Sequence, residues 1–162
     1  MADHLPPESK DVAGWALLPA ALDNVAASLL AACPMLGSPD AASAAIAALR
    51  AEPDGEIYGW LEADTLIAVY GLRRAGLSYE LPWLAVAPDR RGQRYGRSAL
   101  VDALRRCGRK PLTVQADEPL KSWFEQVGFR VVGRKRLAAG GYHYRLGWYA
   151  PRRPGEPGHG AH

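Results

Sequence analysis

Four arginines and two glycines fall within eight residues: Arg90, Arg91, Gly92, Arg94, Gly96 and Arg97. They join an apolar run that stops at Pro88 to an apolar segment with helical periodicity, in the stretch "LAVAPDRRGQRYGRSAL" (residues 84–100). A helix start carries unpaired N–H groups and a partial positive charge. Glycines let a ligand approach that backbone closely, so a strand, a glycine loop and a helix in this order form an anion site, most often for phosphate. The guanidinium groups add formal charge where the backbone already attracts anions. From Arg90 to Lys110 there are eight Lys and Arg residues against one acid, Asp102. The blander reading is a solvated basic loop, and the buried strand before it and the amphipathic helix after it argue against that. The stretch has neither the Gly-Lys-Ser/Thr of a P-loop nor the Gly-x-Gly-x-x-Gly of a dinucleotide site.

Glu80 is the second candidate. It stands in the otherwise apolar run "SYELPWLAV", where a carboxylate is costly unless it faces a cleft or a partner. A carboxylate at the wall of a cleft can act as a general base; the alternative is a salt-bridged Glu on a half-exposed strand. Tyr142 and Tyr144, on the last strand-like run, could donate a proton by residue type, and the alternative for both is ordinary strand aromatics. Cys33 and Cys107 are too few for a disulfide framework. No Cys-x-x-Cys or His cluster suggests a metal, so no metal is expected.

The elements that must position these groups can be read along the chain. Residues 14–18 suit a short strand and 21–32 a helix. "SPDAASAAIAALRAEPDG" has marked ends: Ser38 as N-cap, Pro39 at the first helical position, then Pro53 and Gly55 as terminators. "EIYGWLEADTLIAVYGLRRAGLSYELPWLAVAP" breaks near Ala63-Asp64 and Ala75-Gly76, which predicts a three-stranded antiparallel meander whose third strand covers about 77–86. Pro82 inside that strand removes a ladder bond and predicts a bulge. Residues 97–110 predict a helix ended by Gly108, 111–116 a buried strand, and "DEPLKSWFEQVGF" a helix capped by Asp117 and ended by Gly128. Two last strands follow. The order predicts an α/β (α+β type) fold: a mixed, mostly antiparallel central sheet with one parallel, splayed strand pair and helices on both faces.

The chain has 162 residues, enough for one core, and 1–150 reads as a single domain followed by a Pro/Gly/His-rich tail at 151–162, expected to be disordered. Residues 1–11 read as frayed. The net charge of +3 is too small to argue for a nucleic-acid partner. The apolar stretch 12–35 is interrupted by Pro19 and Asp23 and is too short to span a bilayer, so no membrane partner is expected and a cytoplasmic location is the default. Exposed sheet edges would suit a homodimer.

Two motifs carry a family resemblance. "LAVAPDRRGQRYG" resembles motif A of the GNAT superfamily of N-acetyltransferases, Arg/Gln-x-x-Gly-x-Gly/Ala after a Val-x-Pro strand exit. "SWFEQVGF", about 30 residues downstream, resembles its second signature, a helix with an aromatic pair ending at Gly-Phe. The element order agrees over residues 12–149. The resemblance implies acetyl-CoA as acyl donor. It implies that backbone N–H groups of Arg91, Gly92, Gln93, Arg94, Tyr95, Gly96 and Arg97 hold the pyrophosphate, and that Leu84, Ala85 and Val86 pair with the pantetheine arm like an added strand. Arg94 stands where the pattern has its first glycine, and its side chain could reach a phosphate. The resemblance further implies direct attack by a primary amine of a small molecule or peptide through a tetrahedral intermediate, with the Val86 N–H polarising the thioester carbonyl. Glu80, eleven residues before Arg91, has the spacing of the catalytic glutamate in the histone-acetyltransferase branch. The usual acid, a tyrosine four residues before the Gly-Phe glycine, is here Phe124. That substitution keeps a second reading open, a catalytically weak acyl-CoA-binding sensor or structural module. A third reading, a nucleic-acid binder, would need a strongly salt-dependent affinity.

Overall fold

Capping chemistry sets the helix ends. The computed structural model describes residues 14–33 and 38–151. The segment 1–11, expected to be frayed, and the tail 151–162, expected to be disordered, lie outside these but for Pro151, whose carbonyl accepts from Arg109 at 3.2 Å. A single turn of 3₁₀ helix, Ala20–Leu22, leads into α1 (Asp23–Ala31). Ser38 accepts a hydrogen bond from the Ala41 N–H at 3.1 Å and starts α2 (Pro39–Ala51). Asp117 accepts from the Leu120 N–H at 3.1 Å and starts α4 (Glu118–Gln126). Between them α3 spans Tyr95–Cys107 and stops at Gly108, whose φ is +65°.

The strands are β1 (Trp15–Leu17), β2 (Gly55–Glu62), β3 (Thr65–Ala75), β4 (Ser78–Glu80), β5 (Leu84–Val86), β6 (Leu112–Ala116), β7 (Arg130–Arg136) and β8 (Tyr142–Trp148). They form one mixed sheet in the order β1-β2-β3-β4-β6-β8-β7, with β5 also on β3. The β2–β3 hairpin turns through Ala63 and Asp64, both at positive φ, the conformation a tight hairpin turn needs. β4 and β6 are parallel, joined through α3, and every other pairing is antiparallel.

The expected third meander strand is two pieces. β3 pairs with β4 over Arg73–Ala75 and with β5 over Ala68–Tyr70, and the chain between, Leu81 to Trp83, leaves the ladder around Pro82. A proline has no N–H to give, so the break falls where the sequence puts it.

Each sheet face has its own core. α3 and α4 cover one face with Leu100, Ala103, Cys107 and Phe124 against Tyr70, Leu112, Val114 and Leu146. α1 and α2 cover the other with Leu30, Ile46 and Leu49 against Ile57, Val69, Trp83 and Ala85. β6 follows the two-residue period: Leu112, Val114 and Ala116 are buried under α3 and α4, while Thr113 and Gln115 take the α1–α2 face.

Candidate active site

The single acid of the basic segment turns out to anchor it. Asp102 is 2% exposed on the inner side of α3. It accepts hydrogen bonds from the Tyr70 hydroxyl of β3 and from Arg106 Nε at 2.8 Å, and Arg105 reaches its other oxygen at 3.0 Å. Arg106 also donates to the Trp15 carbonyl at 3.1 Å and lies 3.9 Å over the Tyr58 ring. Burial and the Asp102 carboxylate push the Tyr70 hydroxyl far above its ordinary value, so it stays a donor. Trp15 Nε1 donates to Ser98 Oγ at 2.9 Å. A charge buried with its partners is expensive to misplace, so α3 has one register on the sheet. That register fixes where its first turn points.

The loop before α3 divides its arginines by role. Arg90 is taken by Glu62 at 2.8 Å, and the Tyr95 hydroxyl donates to the same carboxylate at 2.7 Å. The Tyr95 hydrogen bond, with Arg90 behind it, holds the Glu62 carboxyl down at about 2. Arg91 donates to the carbonyls of Val86 and Ala32, both at 3.3 Å, tying the loop to the end of α1. Arg94 and Arg97 have no side-chain partner among the described residues. Arg94 is also the N-cap of α3, at φ +70° and ψ 16°, the left-handed conformation. The residue that replaces the motif's first glycine therefore keeps the glycine's backbone shape, at a cost of about 1–2 kcal/mol. The helix ladder begins with Ser98 N–H to the Arg94 carbonyl at 2.9 Å, so the preceding N–H groups have no intrahelical partner. They open on a cavity of about 380 Å³, lined by Arg91, Gly92, Arg94, Gly96, Arg97 and Trp123 among others. Gly96 lacks the Cβ that would press on Trp123 at 3.3 Å.

Trp123 also lines the next cavity, an apolar slot of about 280 Å³ between β5 and β6, with Leu84, Val114, Leu120, Phe124 and Cys33 around it. The slot exists because β4 leaves β6 after the Leu81 N–H donates to the Thr113 carbonyl at 3.0 Å, and β5 pairs only with β3. The ladder has a readable phase. Gly71 N–H donates to the Trp83 carbonyl and Ala87 N–H to the Ile67 carbonyl, so residues 83, 85 and 87 turn their backbone to β3. Leu84 and Val86 turn theirs to the slot. Ala85, read from the sequence as part of the arm-binding edge, is committed to β3, and its side chain is buried under α1.

On the α1–α2 face the slot meets a third cavity, of about 230 Å³, through shared Leu81, Pro82, Val114 and Gln115. Glu80 lines it. Its carboxylate accepts from Arg73 Nε at 2.8 Å, and Arg73 bonds Glu52 at 2.9 Å with its other arm. Arg145 and His143 of β8 complete the wall. A cradle of amides and guanidiniums, an apolar slot and a carboxylate thus follow one another across the sheet.

No family model matches the sequence, and no curated protein matches it. Solved structures do resemble it in shape. An aminoglycoside 6'-N-acetyltransferase crystallised with coenzyme A is 15% identical, with TM-score 0.73 over 86% of this chain and 98% of that one. The ribosomal-protein-S18-alanine N-acetyltransferase of Escherichia coli is 16% identical, with TM-score 0.66 over 83% and 92%. A GNAT family acetyltransferase of Elizabethkingia anophelis with acetyl-CoA bound is 17% identical, with TM-score 0.53 over 60% and 77%. This chain has the GNAT fold.

Within that fold, the sequence-predicted residues fall into separate groups. Arg91, Gly92, Arg94, Tyr95, Gly96 and Arg97 line the first cavity together, with Val86; Gln93 belongs to the same loop but does not line it. Leu84 lines the slot. Glu80 stands on the far side. Tyr142 and Tyr144 join neither the slot nor the Glu80 cavity. β8 alternates, and both tyrosines share the α3–α4 face with Leu146 while His143 and Arg145 share the Glu80 face. The Tyr144 hydroxyl donates to Glu118 at 2.7 Å, and Tyr142 packs under Arg134. Phe124 is 5% exposed between Trp123 and Phe129. Arg73, Gln115, His143 and Arg145 were missed from sequence. Gln115, the amide in "PLTVQA", and the His-Tyr-Arg alternation of β8 were the signals that could have found them. Among the described residues no group of His, Cys, Asp and Glu could hold a metal, and no helix is long and apolar enough to cross a membrane.

Proposed function

We propose that residues 1–150 form one acetyl-CoA-dependent N-acetyltransferase domain acting on a primary amine. The observation that carries this reading is the continuity of the three cavities, from the α3 start through Trp123 to the slot, and through Pro82 to Glu80. The residues present fit the donor: six amide-bearing loop positions and two uncommitted guanidiniums for a diphosphate, a strand edge and apolar walls for an extended arm. When bound, acetyl-CoA supplies an acetyl group activated as a thioester.

The chain's own groups then have distinct tasks. Amides of Arg91, Gly92 and Arg94 to Arg97, with the Arg94 and Arg97 side chains, hold the diphosphate. Val86 lies at the cradle and offers its backbone to the arm. Leu84 lies further along, at the slot, and its N–H is the donor for the developing oxyanion in place of Val86. Glu80 accepts the amine proton, directly or through one water, so that the nucleophile is neutral when the C–N bond forms. Arg73 positions Glu80. With Phe124 apolar and both tyrosines on the other side of β8, the thiolate leaves without a tyrosine acid; a thiol's ordinary pKa near 8.5 permits this.

Calorimetric titration with CoA, combined with thiol release from acetyl-CoA across an amine panel, tests the reading. Saturable CoA binding with amine-dependent thiol release is expected. Binding without release from any amine supports instead an acyl-CoA sensor, and absence of binding at millimolar CoA removes both.

A further inference from the structure

The wall around the Glu80 cavity is basic. From Val127 to Pro151 the chain carries Arg130, Arg134, Lys135, Arg136 and Arg145 and no acidic residue. Sheet register sorts these by face. Arg145 of β8 stands opposite Gln115 of β6, and Lys135 of β7 opposite His143 of β8. Gln115, His143, Arg145 and Lys135 therefore share the face on which Glu80 opens. Arg134 and Arg136 are opposite Tyr144 and Tyr142, on the other face. Arg145 and His143 line both the Glu80 cavity and an adjoining one of about 270 Å³ at the edge strand, which Lys135 lines from the same face and Arg134 and Tyr144 from the other. Neither Arg145 nor Lys135 has a charge partner among the described residues, whereas Arg73 is held by two carboxylates. Glu80 is the only carboxylate lining either cavity among the described residues, and it is already paired.

A polycationic acceptor would enter this mouth against the unpaired charges of Arg145 and Lys135, each costing affinity and on-rate. Resting on the acetyltransferase reading above, we infer that the acceptor is a small amine that carries an anionic group of its own, a carboxylate or a phosphate, which Arg145 and Lys135 bind while the amine faces Glu80. Arg145, exposed at the rim with five fixed donors, suits bidentate capture of either anion.

The test uses the full-length protein with acetyl-CoA and matched amine pairs: phenylalanine and phenylalaninamide, glucosamine 6-phosphate and glucosamine, with spermidine as the polycation. The expected result is a preference in kcat/KM of at least tenfold for the anionic member of a pair, with the favoured pair deciding between carboxylate and phosphate. Arg145→Glu should abolish that preference through KM. Arg136→Glu makes the same change of net charge on the neighbouring face and should alter it less than twofold. Equal use of both members, preference for spermidine, equal effects of the two variants, or no turnover of any anionic amine would each overturn the inference. CoA titration on the same samples separates these failures from failure of the acetyltransferase reading, because CoA affinity does not depend on the acceptor wall.

Discussion

Arg94 carries two properties of opposite sign, and replacing it separates them. Its backbone sits at φ +70°, where an L-residue is strained by about 1–2 kcal/mol. Glycine at this position removes the strain and adds about 0.5–1 kcal/mol of unfolded-state entropy to be lost. The balance favours glycine by about 0.5–1 kcal/mol, or roughly 1–4 °C in Tm for a chain of this size. Alanine keeps the strain without the guanidinium. On the ligand side, both variants lose a charged contact to the diphosphate. Arg94 is exposed, so the lower end of the usual range applies, about 1–1.5 kcal/mol, or roughly five- to tenfold in Kd. Arg94→Gly should therefore be more stable than wild type yet bind CoA more weakly. Arg94→Ala should bind as weakly and be less stable than Arg94→Gly. Urea denaturation and calorimetric titration at low salt measure the two. Equal stability of the glycine and alanine variants would refute the left-handed cap, and wild-type CoA affinity in Arg94→Gly would refute its phosphate role.

Other outcomes follow from the same geometry. Glu80→Gln should lower kcat by about 100-fold or more while leaving CoA affinity intact; Tyr144→Phe, whose hydroxyl serves Glu118, should change kcat less than about twofold, and a larger loss would return the tyrosine to the reaction. Glu62 is held at about 2 in the folded chain against its ordinary 4.5. Its contribution is then complete above pH 4.5 and lost as pH falls through 2, so the stability gap between wild type and Glu62→Gln should close over that window in urea titrations. Burial pushes the Cys107 thiol up to about 12 while Cys33 lines the slot. Iodoacetamide should modify Cys33 first, and bound CoA should protect it; mass spectrometry of labelled peptides reads both.

The phosphate cradle was legible because it is local. Arg and Gly residues beside a helix start announce themselves within a dozen positions. Pro82 was legible for the same reason, and the break in the third strand followed from it. What stayed hidden depends on register. Whether Tyr144 or Arg145 faces Glu80 is decided by how β8 pairs with β6, and a slip of one residue exchanges the faces. The orientation of the Ala85 amide is likewise set by β3, fifteen or more residues away. Asp102 looked like a lone acid diluted among bases. Its meaning required knowing that Tyr70 and Arg106 would meet it under α3.

The departure of β5 from β6 also divides the molecule mechanically. β1 to β5 make one half-sheet and β6 to β8 another. They are stitched at Tyr79 and Glu80 against Leu112 and Thr113, with backbone bonds from Tyr79 to Pro111 and from Leu81 to Thr113. So short a seam resists twisting poorly. The burden of keeping the halves in one unit passes to what bridges them, α3 with its buried Asp102 and the aromatic packing of α4. Local opening should begin at the seam, and a molecule lying along β5 would close it as a zip closes two hems.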